Sequence, residues 1–392
     1  MHSADTFSLS KMQDDIIHLC NKIISKKNWR IKSVLVLSCI SIVLSTGAYF
    51  YLPTAMKDEN WNSFNEKKDH PFTQTNYEPG SHAAKKTFRL TVPIIAKVFQ
   101  LGNYAVFLLQ FIVTILFLFF AIRFVEKITG DSITGLLTTI GLGFIYAGHA
   151  GFTDINTWFD EFAYLFLLLA MFSNQPYLIL IFIQLACWTD ERAIISSGLV
   201  FIWWKIKEEG IFSFKSFFSF KLNSSVVVFS LLLYASGRFL LASLAQLSTP
   251  LSNVGLKPLL SDTDFMGMAL WTSLEGFWIP VLLTFFILWK YKNFNLLVSI
   301  FSLLLILALG SFSVFDKTRS GAYMFPVIFI SILVLKNYFS TADIRKILFV
   351  TVPVCFLFPS YYIISDVKPY ILWYKPIFVR VIDLAAIYLN IN

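Results

Sequence analysis

The chain has 392 residues, of which 56% are hydrophobic and 14% charged, with a formal net charge of +8 and a mean hydropathy of +0.67. That composition lies far outside soluble usage and excludes a water-soluble globular protein. The positive balance suits anionic lipid headgroups and needs no nucleic acid to explain it, and Cys20, Cys39, Cys187 and Cys355 are too scattered to imply a disulfide framework.

The first 33 residues form a basic arm. Leu9, Met12, Ile16, Leu19, Cys20 and Ile23 share one helical face, which predicts an amphipathic helix lying along the membrane surface. A multi-pass domain over 34–363 follows. A bilayer core about 30 Å thick takes roughly 20 apolar helical residues to cross. Runs near that length are expected at 34–52, 104–125, 133–149, 157–172, 224–245, 268–289, 294–312, 320–336 and 346–363. The shorter runs 176–188 and 193–204, separated by Thr189-Asp190-Glu191-Arg192, are either two tilted spans or one re-entrant hairpin. The expectation is therefore an all-α, polytopic integral membrane protein with about eleven crossings. Nearly unbroken apolar runs such as Phe111 to Ala121 and Phe294 to Leu309 exclude a transmembrane barrel, which alternates.

Lysine and arginine set the orientation. Lys11, Lys22, Lys26, Lys27, Arg30 and Lys32 precede the first span and hold the N-terminus in the cytoplasm. The short outer loops carry only Arg192, Lys257, Lys317 and Arg319, and the later cytoplasmic loops are richer. Eleven spans then leave a short outer or interfacial tail, 364–392, with Trp373 and Tyr374 suited to the interface. The first span, with no small-residue cleavage site after it, reads as a retained anchor. No zinc spacing, phosphate-binding glycine loop or internal repeat is present.

Under this topology the outer side collects most of the ionisable chemistry. The loop 53–103 contains Asp58 and Glu59 soon after the first span. Further along it, His82, Lys86 and Arg89 are spaced by four and three, so one face of a short helix presents three anion-binding groups, or a basic surface for headgroups. Asp154 leads toward Asp160 and Glu161, which open the 157–172 span. They either favour that helix's dipole or face a cavity as base or metal ligands. Asp190, Glu191 and Arg192 interrupt some thirty apolar residues and must face protein or water, paired internally or touching substrate. Asp316 and Arg319 begin the tenth span, where a guanidinium fork matches phosphate oxygens or snorkels to the interface. Arg238 and Glu275 lie inside adjacent spans, each about 10 Å deep at 1.5 Å per residue, and are expected to form a structural ion pair.

A long outer loop after the first span, an Asp-Glu pair early in it, further outer acids and an outer arginine resemble the GT-C class of polyprenyl-phosphate-dependent glycosyltransferases. The stretch Phe88-Arg89-Leu90-Thr91-Val92-Pro93 and the cluster Asp190-Glu191-Arg192-Ala193 are also similar to segments of bacterial polytopic proteins grouped near that class. The resemblance covers most of the chain in layout. It implies an outer-loop carboxylate that deprotonates an acceptor hydroxyl, which displaces the lipid phosphate from the anomeric carbon with inversion. Asp58 holds the matching position, with Glu59 next and Asp160 also a catalytic candidate. The resemblance assigns Arg319, Arg89 and Lys86 to the phosphate, and Asp154 or Asp160 to sugar or acceptor hydroxyls. Two departures stand out: Asn60 to His70 is hydrophilic and Lys-rich rather than an evident helix, and no large domain follows the last span. The second favours a glycolipid or cell-surface glycan acceptor over protein.

The expectation is thus a bacterial inner-membrane glycosyltransferase with a cytoplasmic N-terminus and an extracytoplasmic C-terminus, using a polyprenyl-phosphate-linked sugar and, in one variant, a divalent metal. A transporter or flippase of an anionic lipid-linked substrate and a non-catalytic scaffold of a surface-glycan or secretion assembly are the rival readings.

Overall fold

The computed structural model describes residues 9–74, 85–210, 219, 221–249, 255, 259, 263–364, 368–372, 374–376 and 378–381. The chain is nearly all helix. The helices are α1 Leu9–Ile24, α2 Trp29–Leu44, α3 Glu59–Asp69, α4 Thr91–Val98, α5 Asn103–Thr129, α6 Ser132–Gly143, α7 Tyr146–Thr153 and α8 Asp160–Phe172. There follow α9 Pro176–Thr189, α10 Arg192–Glu209, α11 Leu222–Leu244, α12 Met266–Leu274, α13 Trp278–Lys290, α14 Phe294–Phe312, α15 Lys317–Ala322, α16 Pro326–Tyr338 and α17 Thr341–Leu357. Single helical turns at Thr46–Tyr49, Leu52–Ala55, Thr263–Phe265 and Glu275–Phe277 link some of them. The strands among the described residues are the two-residue pair Tyr361–Tyr362 and Tyr370–Ile371, antiparallel.

Among the described residues five helical stretches are long and apolar enough to cross a membrane: Asn103–Thr129, Leu222–Leu244, Thr263–Lys290, Phe294–Phe312 and Lys317–Tyr338. A sixth arises if α6 and α7, bent by 53° at their junction, count as one broken span. Phe229, Leu232, Phe286, Val298 and Phe301 are exposed on α11, α13 and α14, a belt of large apolar side chains that suits lipid and not water. The remaining expected crossings are helices of 16 (α2), 13 (α8), 14 (α9), 18 (α10) and 17 (α17) residues. Four of these five are clearly shorter than the roughly 20 residues a perpendicular span requires.

α16 is the central helix, with every residue from Pro326 to Leu335 buried. α5 and α8 pack together, and Phe124 of α5 meets Phe329 of α16 at 5.1 Å between ring centres. Helix ends follow local chemistry. Gly130, at φ 72°, closes α5 in the left-handed conformation glycine tolerates, and Asp131 then caps α6 by accepting from the Thr134 amide at 2.8 Å. Arg345 of α17 donates to both oxygens of Asp131, tying α17 to α6. The Arg345 guanidinium and the Thr134 bonds hold the Asp131 carboxyl below the usual range, against the upward push of burial.

Three expectations are corrected here. Residues 59–69 form helix α3 and not an irregular hydrophilic stretch, because Trp61, Phe64 and Lys67, three apart, bury one face, and the Trp61 indole donates to Ile155 O at 2.8 Å. Arg238 does not pair with Glu275. Its guanidinium donates to Tyr234 Oη at 3.1 Å and Thr249 Oγ1 at 3.3 Å and lies over the Phe88 ring. Glu275 instead pairs with the Lys375 ammonium and accepts from Tyr374 Oη at 3.0 Å. Tyr374, expected at the interface, is therefore fully buried together with Lys375, and Trp373 lies outside the described residues. Lys375 also donates to Phe144 O and Cys355 O, so a buried ammonium reaches from the tail into the bundle with all its protons placed.

This pair yields a stability test. Lys375→Met should destabilise the protein by about 3–5 kcal/mol, because it strands a buried Glu275 carboxylate, and Glu275→Gln in the same chain should recover much of the loss. Thermal unfolding in detergent measures both. A single variant as stable as the parent would show that the tail is not held this way.

Candidate functional site

The ionisable residues between helices converge on Asp160, the first residue of α8. It is 1% exposed. Arg319 of α15 grips it through Nε to Oδ2 at 2.6 Å and Nη2 to Oδ1 at 3.2 Å, and Arg192, which opens α10, adds Nη2 to Oδ1 at 3.0 Å. Tyr323 Oη donates to the same Oδ1 at 3.2 Å. Chain order explains the meeting: each of α8, α10 and α15 starts with a charged residue at its N-terminal end, and the three ends lie side by side.

The pairing extends both ways. Arg192 makes two contacts to Asp190, 2.7 Å to Oδ1 and 2.6 Å to Oδ2, and donates to Ser320 Oγ at 2.9 Å. Arg89 reaches Asp190 Oδ2 at 2.8 Å and Glu191 Oε1 at 3.3 Å. On the other side Asp316 caps α15, lies 3.4 Å from Arg319 Nη1 and accepts from Tyr362 Oη at 2.6 Å. Arg319 is flattened against Trp158, 4.2 Å from the ring centre, and Arg192 against Tyr323 at 5.0 Å. Asp190 is driven below the usual carboxylate range. Burial opposes that shift, and the guanidinium groups of Arg192 and Arg89 overcome it.

Asp154 organises the approach to this centre. Its carboxylate accepts from the amides of Asn156 and Trp158 at 2.7 Å and of Phe159 at 2.8 Å. Thr157 and Phe159 in that loop have φ 59° and 60°, a left-handed conformation costly for such residues and fixed here by the three bonds.

Beside the network is a small cavity of about 30 Å³, lined by Ser63, Lys67, Lys86, Arg89, Thr157 and Phe159 among others. Its space matches a water-sized polar group. Lys86 Nζ donates to Asn60 Oδ1 at 3.0 Å, Asn156 O at 3.1 Å and Thr157 Oγ1 at 2.9 Å, all neutral acceptors. Lys67, 4% exposed, donates to Thr73 O at 3.3 Å. Among the described residues no carboxylate forms a salt bridge with either lysine. Burial, reinforced by the Arg89 charge, pulls the Lys86 ammonium down to about 7, and burial brings Lys67 down to about 8.

The sequence-expected residues separate into groups. Asp160, Asp190, Glu191, Arg192, Asp316, Arg319 and Arg89 form one continuous network, and Lys86 borders it. Asp58 caps α3 and Glu59 is its first residue; both are exposed and outside the network. Asn60, two residues after Asp58, nevertheless touches Lys86. Glu161 points elsewhere. It is buried near Gly151, where an added Cβ would meet Thr114 Oγ1 at 2.2 Å and Glu161 Cγ at 2.9 Å. Both its carboxyl oxygens, and Oε1 of Gln110, lack a hydrogen-bond partner. His82 lies outside the described residues. Among the described residues no three His, Cys, Asp or Glu side chains stand together as a metal site. Lys67, Trp158, Tyr323 and Tyr362 were missed from sequence. Tyr323 had a signal in its four-residue spacing from Arg319, and Lys67 in its three-residue spacing from Phe64.

Comparisons with family models, with curated proteins and with solved structures return no match.

Neighbouring acids should respond oppositely to neutralisation. Asp160→Asn leaves two buried guanidinium groups short of charge and should cost about 3–5 kcal/mol. Glu161→Gln removes an unpartnered buried acid and should leave stability equal or higher. Parallel melting curves test the contrast; equal loss in both variants would contradict it.

Proposed function

We propose that this chain is a membrane glycosyltransferase of GT-C type, moving a sugar from a polyprenyl-phosphate donor to a glycolipid or cell-surface glycan on the extracytoplasmic side. The observation that carries the reading is the meeting of three cationic side chains, Lys67, Lys86 and Arg89, around one small cavity, which has to widen to admit a phosphate. Lys67 is buried and Lys86 half-buried, and among the described residues neither has a carboxylate partner, so both are stabilised by an incoming anion. A departing lipid phosphate is such an anion.

The geometry redistributes the roles. Arg319 is already engaged by Asp160 and Asp316, so it acts as scaffold, and the phosphate contacts fall to Lys67, Lys86 and Arg89. Asp160 has both oxygens occupied by donors and is closed to an acceptor hydroxyl. Asp58 is assigned as the base: it is exposed at the start of α3, two residues before Asn60, which touches Lys86. In the proposed step Asp58 takes the acceptor hydroxyl proton, the oxygen bonds to the anomeric carbon, and the carbon–oxygen bond to phosphate breaks with inversion. Developing charge on the phosphate is met by the lysines. No metal takes part in this scheme, because the described residues offer no donor set for one. A transporter of an anionic lipid-linked substrate is the second reading. Glu161 favours it, as a buried carboxyl without a partner is suited to loading and releasing a proton.

A transfer assay in nanodiscs with polyprenyl-phosphate sugars tests the enzyme. Asp58→Asn should lower kcat by about 10²–10⁴, and Lys86→Met or Lys67→Met should raise donor KM by about tenfold or more, the worth of a charge-assisted contact. Absence of transfer by the parent protein, or full activity of Asp58→Asn, would overturn the assignment.

The lysines also set a pH dependence. Both have folded pKa values below the ordinary lysine value, so their charge is full below about 7 and is lost as pH rises through about 7 and then about 8. Donor KM should accordingly rise between pH 6.5 and 8.5, and Lys86→Arg, which stays charged, should flatten the rise. An unchanged pH profile in Lys86→Arg would remove Lys86 from donor binding.

A further inference from the structure

A second cavity lies far from the charged network in sequence. It is an apolar groove of about 540 Å³ between α1, α2, α6 and α17. Ile16, Leu19, Cys20 and Ile23 of α1 form one wall, which is the apolar face expected of the basic arm. Leu136, Ile140, Phe349 and Val352 are among the residues opposite. The arm touches the bundle, where Cys20 is buried against it, and leaves a long apolar gap beside that contact.

The polar lining is confined to one stretch of chain. Lys26 stands in the turn between α1 and α2, and Lys32 and Ser33 lie in the first turns of α2. Lys26 and Lys32 are both exposed, and among the described residues neither forms a salt bridge. Two arginines of this region are committed elsewhere, Arg30 to Glu126 and Arg345 to Asp131, and Lys22 and Lys27 do not line the groove. The groove thus combines an acyl-sized apolar slot with two uncommitted positive charges at its polar stretch.

We infer that this groove is a binding site for one anionic phospholipid, with an acyl chain between α1 and α6 and the headgroup phosphate between Lys26 and Lys32. The charge pair selects the occupant: an apolar slot alone accepts any lipid tail, whereas two unpaired lysines beside it favour a net negative headgroup over a zwitterionic one. A lipid seated there fills the gap and fastens the arm to the bundle. This assignment is independent of the proposed transferase activity.

Native mass spectrometry of the full-length protein released from nanodiscs of equal parts phosphatidylglycerol and phosphatidylcholine provides the test. The parent protein should retain one phosphatidylglycerol in preference to phosphatidylcholine. Lys26→Gln with Lys32→Gln should lower that preference on the order of thirtyfold, from the usual worth of a juxtamembrane lysine. Ile140→Trp, which fills the slot and keeps both charges, should lower retention of either lipid. Equal retention of the two lipids by the parent, an unchanged preference in the double variant, or unchanged retention in Ile140→Trp would each overturn the site. So would a lipid-free dimer, which would make a second copy the occupant.

Discussion

A carboxylate buried among helices is tolerable only if positive charge and hydrogen-bond donors surround it, and Asp160 has both. Two guanidinium groups from separate helices and one tyrosine hydroxyl meet on its two oxygens. Because α8, α10 and α15 all begin at this point, the ion pairs fix the relative positions of three helix ends that the apolar packing below leaves free to slide. The loop from Asp154 to Phe159 and the segment carrying Lys86 and Arg89 are built upon that anchor. Burying so many charges is not a gain in stability by itself, since replacing such pairs with apolar groups is often neutral. Its effect is to specify one arrangement of polar groups beside a cavity.

That arrangement separates two kinds of cation. Arg192 and Arg319 are consumed by carboxylates and stacked on aromatic rings, so they position the site. Among the described residues Lys67 and Lys86 donate to neutral oxygens and form no salt bridge. Arg89 sits between the two sets, paired to Asp190 and Glu191 while also lining the cavity. A site of this kind aims positive potential at one small volume, the kind of arrangement that stabilises charge developing on a leaving phosphate.

Much of this was legible in the sequence for simple reasons. Long apolar runs fix helices wherever a bilayer-length stretch occurs, and Asn103–Thr129 and Phe294–Phe312 fall within a few residues of the expected bounds. That Asp160, Asp190, Arg192 and Arg319 sit at span ends was legible, but not that they meet. Partner choice was not legible. Arg238 and Glu275 share a plausible depth, yet Lys375, a hundred residues from Glu275, takes the acid, because depth along a helix says nothing about azimuth. Helix α3 was hidden by its composition: Asn60 to His70 is polar on average, and only the spacing of Trp61, Phe64 and Lys67 reveals a buried face. Lys67 was missed with it.

The most direct test of the account is a cryo-electron microscopy map of the protein in nanodiscs with a polyprenyl phosphate added. The account predicts phosphate density in contact with Lys67, Lys86 and Arg89, with Arg192 and Arg319 still bound to Asp160. Phosphate density elsewhere, or an Asp160 released from its two arginines to meet the ligand, would contradict it.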